Sequence, residues 1–316
     1  LDYIIVDGHC DSVLDVASGI RSLAENTNQG HLDFPRLRGR INLQFMALFI
    51  ESIYKPYGSL LRTLELIDIL KQEINKVDYV QPVFTKKHLQ VFEKNKVKIL
   101  ITVEGGEALA ESINVLHCLF ALGVRGLTLT WNQRNALGDG CSEDPEGQGL
   151  SKFGRKVIRE MNDLGMLVDV SHLAKKSFWD VLKVTNKPII ASHSCCEALC
   201  SHPRNLDDQQ LKAIAENEGV VGINFYPGFL KEGQDPATID DVIKHIIHVA
   251  EVIGCEYIGL GSDFDGIEKT PLGLEDVTKV PTLILALEKA GFTSKEIANI
   301  MGNNFLRIMK KVLPND

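Results

Sequence analysis

The sequence predicts an α/β protein: a (β/α)8 or TIM barrel built by residues 1–316 as a single catalytic domain. Two observations carry that expectation. Eight short apolar runs rich in β-branched residues alternate with longer stretches whose apolar residues recur every three to four positions. The polar residues able to do chemistry cluster at the C-terminal ends of the apolar runs, where barrel active sites lie. A doubly wound open sheet is the alternative architecture.

The predicted strands cover 3–7, 43–49, 99–103, 126–130, 167–170, 189–192, 220–225 and 257–261. Each is a continuous apolar run, as expected of strands covered on both faces. Amphipathic helices are predicted over 60–76, 108–122, 152–164, 174–184, 208–217, 239–253 and 282–290. A last helix, 294–311, opens on Ser294 as its N-cap with Glu296 in the first turn. The connection near 50–60 holds Pro56 and Gly58 and reads as a long irregular loop.

Composition excludes several classes. With 34 basic against 42 acidic residues the net charge is −8, so neither nucleic acid nor an anionic membrane is expected as a partner. No apolar run approaches the roughly 18–20 residues of a membrane span. The opening LDYII shows no basic leader or cleavage site. The seven cysteines contain no CxxC pair and read as reduced thiols. A cytoplasmic location is the expectation.

The strand ends supply the chemistry. The first strand runs into "DGHCDS", where His9 and Asp11, two apart, can face the same side while Cys10 faces away. The third ends in "VEGGE": Glu104 closes a buried strand, which is costly for a carboxylate unless it is paired or bound to a cation. "DVSHL" and "ASHS" place His172 and His193 at the ends of the fifth and sixth strands. "GLGSDFDG" offers Asp263 after the eighth, with Asp265 before Gly266 read as a turn residue. His88, His117, His245 and His248 fall in helices or loops, and His31 and His202 are unassigned. Mixed imidazole and carboxylate donors suit zinc, with manganese or cobalt as substitutes. Five such groups exceed one tetrahedral site, so two ions sharing Glu104 are expected: His9 and Asp11 on one, His172 and His193 on the other. No lysine ends a strand to supply a carbamylated bridge.

In order along the chain, "DGHCD", "VEGGEAL", "LTLTWN", "DVSHL", "ASHS", "HPRNL", "NFYPGF" and "GLGSDFDG" resemble the membrane (renal) dipeptidase family of binuclear zinc metallopeptidases. The resemblance implies a metal-dependent hydrolase barrel whose zinc ligands are His9, Asp11, Glu104, His172 and His193. It also implies that Arg204 contacts the substrate carboxylate and Asp263 the substrate amine, and that the chain forms a homodimer. The expected reaction is hydrolysis of a dipeptide by a metal-bridging hydroxide, with Asp263 as general acid–base and Arg204 selecting a free C-terminus. Two positions depart from the mammalian pattern: Trp131 stands where a substrate-contacting His is found, and Phe229 where a Tyr is found. Trp cannot act as an acid or base, and Asn132 and Asn135 are nearby candidates for the vacated role. Two readings compete. One is a metal-dependent amidohydrolase acting on another small carboxylate-bearing amide. The other is a binding protein with structural zinc, which the carboxylate-rich donor set disfavours.

Overall fold

The computed structural model describes residues 3–233 and 236–315. Nine parallel strands form one sheet: β1 (Val6–Asp7), β2 (Leu43–Phe49), β3 (Val80–Pro82), β4 (Val97–Glu104), β5 (Val124–Thr128), β6 (Leu167–Asp169), β7 (Ile190–Ser194), β8 (Val220–Asn224) and β9 (Ile258–Gly261). Their order is β2-β1-β9-β8-β7-β6-β5-β4-β3, and a β2–β4 pairing closes eight of them into a (β/α)8 barrel.

β3 is the strand that periodicity did not predict. It pairs with the start of β4, Val80 opposite Val97, on the edge that β5 takes over from Ile101. It stops at Pro82, which has no N–H to extend the ladder. β4 and β5 both begin two residues earlier than expected. Their first turns carry Lys98 and Arg125, which look like loop residues. In the fold, Lys98 Nζ donates to the His88 carbonyl, and Arg125 Nε donates to the Phe84 carbonyl at 2.6 Å. β1 is shorter than its apolar run because the Ile5 N–H goes to the Asn42 side chain (2.8 Å) instead of the ladder.

The barrel is plugged at the N-terminal ends of its strands. Val6, Leu43, Leu167, Ile190 and Val220 each open a strand, and they pack in one apolar cluster with Phe305, Ile308 and Met309 of the last helix. Phe305 stacks on Phe45 with centroids 5.4 Å apart. It comes so near the chain that a Cβ at Gly8 would lie 2.6 Å from its ring. That last helix is capped by Thr293 rather than Ser294, in a capping box with Glu296 (Thr293 N–H to Oε2, 2.8 Å). A π-turn over Asn299–Asn303 interrupts it. The predicted helix 108–122 is also divided. A 3-10 turn, Gly106–Leu109, is followed by Ala110 and Glu111 at positive φ, and the helix proper is Ile113–Ala121. No helix among the described residues is long and apolar enough to cross a membrane.

Candidate active site

With the N-terminal ends filled by hydrocarbon, the C-terminal mouth is left for polar groups. In β4 the alternation puts Ile99, Ile101 and Val103 against the helices and Leu100 in the barrel, so Glu104 ends the strand on the barrel side. Its two oxygens address different partners. Oε2 lies 3.4 Å from His9 Nε2, while Oε1 lies 2.8 Å from His172 Nε2 and 3.8 Å from His193 Nε2.

His9 and Asp11 leave β1 on one side, Nε2 to Oδ2 at 3.3 Å, while Cys10 turns into the core against the Phe45 carbonyl and Met46 sulfur. Gly266 lets the loop after β9 close over Asp11, since a Cβ there would collide with Asp11 Oδ2. His172 sits past β6 at φ +69°, an uncommon conformation for a non-glycine residue, and its Nδ1 donates to Asn132 Oδ1 at 2.7 Å. His193 lies in β7, where the register with β8 shifts between Ala191 and Ser194; its ring packs on His9 with centroids 3.8 Å apart. Asp263, also at positive φ, accepts from Asn224 Nδ2 at 2.9 Å and brings Oδ1 to 4.0 Å from His9 Nε2. In two triads one donor atom from each residue lies within 4.8 Å of the others: His9, Glu104 and His193, and His9, Asp11 and Asp263.

Burial pushes the Glu104 carboxyl up, but the imidazoles of His9 and His172 outweigh it and hold the group well below its ordinary value. Burial opposes charge on His9, and Asp11 and Glu104 reverse this, raising it well above the ordinary imidazole value. Asp11 is raised to about 7, by burial first and then by Glu104 and Asp263 against the pull of His9. Burial lowers His172 to about 4 and His193 well below the ordinary value, the Arg204 cation adding to both. His9 Nε2 and Asp11 Oδ1 are buried without a hydrogen-bond partner. The neutral imidazoles of His172 and His193, the carboxylates and the unpaired buried atoms are what a divalent cation requires, and such a cation would displace the proton from His9, so the residues fit one.

Arg204 is 5% exposed and has no carboxylate partner among the described residues. Nη2 donates to the His193 carbonyl at 3.2 Å, Nε has no partner, and the guanidinium stands 5.3 Å from the Phe229 ring centroid. It lines a cavity of about 770 Å³ together with Glu104, His172, Asp263, Trp131 and Tyr226. Trp131 walls this cavity beside His172 (centroids 6.2 Å apart) and packs on Phe49 (5.3 Å). The lining is apolar there, with no imidazole in its place.

Three readings of single residues change. Asp265 is more than a turn residue: its buried carboxylate accepts from Arg21 Nη2 (2.6 Å), the Ser12 hydroxyl and the His31 N–H (2.5 Å), tying the β9 loop to the β1 loop. Asn135 does not reach the cavity; Nδ2 donates to the Leu129 carbonyl at 2.9 Å, while Asn132 does line it. His202, left unassigned, also lines the cavity and packs on Phe229 at 4.5 Å. Asp169 and Ser192 share the motifs of His172 and His193, and Asn224 opens NFYPGF, but no local pattern marks any of the three as functional.

A profile of the membrane dipeptidase family, peptidase family M19, matches residues 2–315. This chain belongs to the membrane dipeptidase family. It is 39% identical over 307 residues to an uncharacterised dipeptidase of Schizosaccharomyces pombe, covering 91% of this chain and 73% of that protein. It is 35% identical over 295 residues to dipeptidase tcpJ of Claviceps purpurea, covering 90% and 69%. Among solved structures it resembles a Rhodobacter sphaeroides metallopeptidase bound to a phosphinate mimic of L-Ala-D-Ala. The TM-score is 0.88 at 25% identity, over 98% of this chain and 99% of that one. Family membership makes the chain a metal-dependent dipeptidase.

Proposed function

We propose that this membrane dipeptidase family member hydrolyses dipeptides with two divalent cations, zinc by preference and manganese or cobalt as substitutes. His9 and Asp11 would hold one, His172 and His193 the other, and Glu104 both. The carrying observation is the division of the Glu104 carboxylate, Oε1 toward His172 and His193 and Oε2 toward His9. When bound, such a pair of ions activates water near neutral pH and polarises the scissile carbonyl.

The chain's own groups do the rest. Arg204, buried and without a carboxylate partner among the described residues, grips the free C-terminal carboxylate of the substrate through paired N–H donors. That fixes the peptide in register with the metal ligands, since the same guanidinium is anchored on the His193 carbonyl. Asn224 orients Asp263, whose free oxygen takes a proton from the attacking water and returns it to the leaving amine. Phe49 and Trp131 present hydrocarbon to the substrate and exclude water from that wall.

The domain is read as a single catalytic unit in a reducing, cytoplasmic setting; all seven cysteines are free thiols, which supports this. A homodimer is proposed from the family resemblance. The test is a substrate panel of L-L and L-D dipeptides, N-acyl amino acids and lactones. Dipeptide turnover that is lost on chelation and restored by zinc is expected. Turnover confined to N-acyl amino acids or lactones, or indifferent to chelator, overturns the proposal.

A further inference from the structure

Asp169 is a buried carboxylate that the reaction does not use; it ends β6 on the same face as Leu167, which packs inside the barrel. It receives four donors. Oδ1 accepts the N–H groups of Ser171 (3.0 Å) and Ser192 (2.9 Å). Oδ2 accepts the hydroxyls of Thr128 (2.6 Å) and Ser192 (2.5 Å). These donors come from β5, β7 and the turn after β6, so one side chain spans three neighbouring segments of the barrel.

A hydroxyl has one proton to give. Ser192 gives its proton to Asp169 and can therefore only accept from His193 Nδ1, which lies 2.8 Å from Oγ. Nδ1 must then carry hydrogen, and Nε2 of the neutral ring is left as a lone pair. The same count applies to His172, whose Nδ1 faces the acceptor-only Oδ1 of Asn132 at 2.7 Å. The 2.9 Å approach of the two Nε2 atoms is consequently two lone pairs converging on one point beside Glu104 Oε1, not a hydrogen bond between the rings.

We infer that Asp169 and Ser192 form a positioning relay that fixes the Nδ1–H tautomer of His193 and so aims its Nε2 lone pair at the cation shared with His172. The inference rests on the metal-binding reading above. Partners of this kind outside the ligand set set ligand orientation and basicity, and their loss commonly weakens a metal site about 10–100-fold. Ser192→Ala removes the link to His193 but leaves Asp169 three donors. Thr128→Val removes a different donor from the same carboxylate oxygen and does not touch His193.

The test is zinc affinity of the wild type, Ser192→Ala and Thr128→Val by chelator competition. It is paired with imidazole ¹⁵N spectra of the metal-free proteins, which read the tautomer directly. A loss of about 10–100-fold for the weaker zinc in Ser192→Ala, under threefold in Thr128→Val, and an Nδ1–H signal for His193 in the wild type are expected. Equal losses in both variants, no loss in Ser192→Ala, or an Nε2–H tautomer in the wild type overturns the relay. If the wild type binds no divalent metal at all, the metal-binding reading fails instead.

Discussion

The Nε2 atoms of His172 and His193 stand 2.9 Å apart, although one ring follows β6, the other lies in β7, and 21 positions separate them in sequence. Two buried imidazoles are held together there because each is tied from behind, by Asn132 and by Ser192. Burial keeps both neutral, and Glu104 lies within 3.8 Å of each. The geometry suits a pair of ligands for a divalent cation.

Glu104→Gln tests the bridge. The amide keeps the shape but loses the charge that two ions would share. Metal content is expected to fall from two toward one equivalent, and kcat by at least about 10³-fold, several kcal/mol of transition-state stabilisation. Elemental analysis with dipeptide kinetics measures both; unchanged stoichiometry and turnover count against the assignment.

Arg204→Met tests the carboxylate grip. Charge-assisted hydrogen bonds contribute about 1.5–3 kcal/mol each, so kcat/KM for a dipeptide should fall at least roughly 10–10²-fold. For the matching dipeptide amide, which has no carboxylate, wild type and variant should differ little. If both substrates lose equally, Arg204 serves the fold and not the substrate.

As a metal ligand, Asp11 would give the site a pH dependence whose sign follows from its raised carboxyl. In the metal-free fold its carboxyl is raised from 3.8 to about 7, chiefly by burial. A group raised on folding stabilises the fold at low pH and loses that contribution as pH rises through the folded value. A cation needs the deprotonated form, so it replaces the proton. The rise in Tm on adding zinc is therefore expected to be larger at pH 7.5 than at pH 5.5, and Asp11→Asn should flatten the difference. Differential scanning calorimetry at the two pH values decides it.

Phe305→Ala tests the plug beneath the site. The ring is fully buried against Phe45 and Gly8, and its loss leaves a cavity between the last helix and the strand openings. A destabilisation of about 3–5 kcal/mol is expected in urea denaturation of the metal-loaded protein. A change below about 1 kcal/mol would show that the helix closes the gap.

The barrel and the ligand candidates were legible because they obey simple periodicity. Apolar runs mark the strands, and the polar residues that end each run mark the mouth, as with Glu104 after Val103 or Ser192-His193 after Ala191. What periodicity misses is structure made by side chains that cross between segments. Lys98 and Arg125 hid two strand starts because the carbonyls that accept hydrogen bonds from their cationic ends belong to residues distant in sequence. β3 was hidden because a three-residue strand has too few positions to show a period. Asp265 looked like a turn residue because its partners Arg21 and Ser12 are more than 240 positions away. Asp169 sat in the motif that gave His172, yet its role depends on Ser192 from the next strand, which no local pattern connects.

The central claim is a dipeptidase built around two cations that share Glu104, and the most direct measurement is a zinc titration of metal-free protein followed by L-L dipeptide turnover. Activity should be near zero without metal and saturate at two equivalents per chain. Saturation at one equivalent, or full activity in the metal-free protein, would contradict the claim.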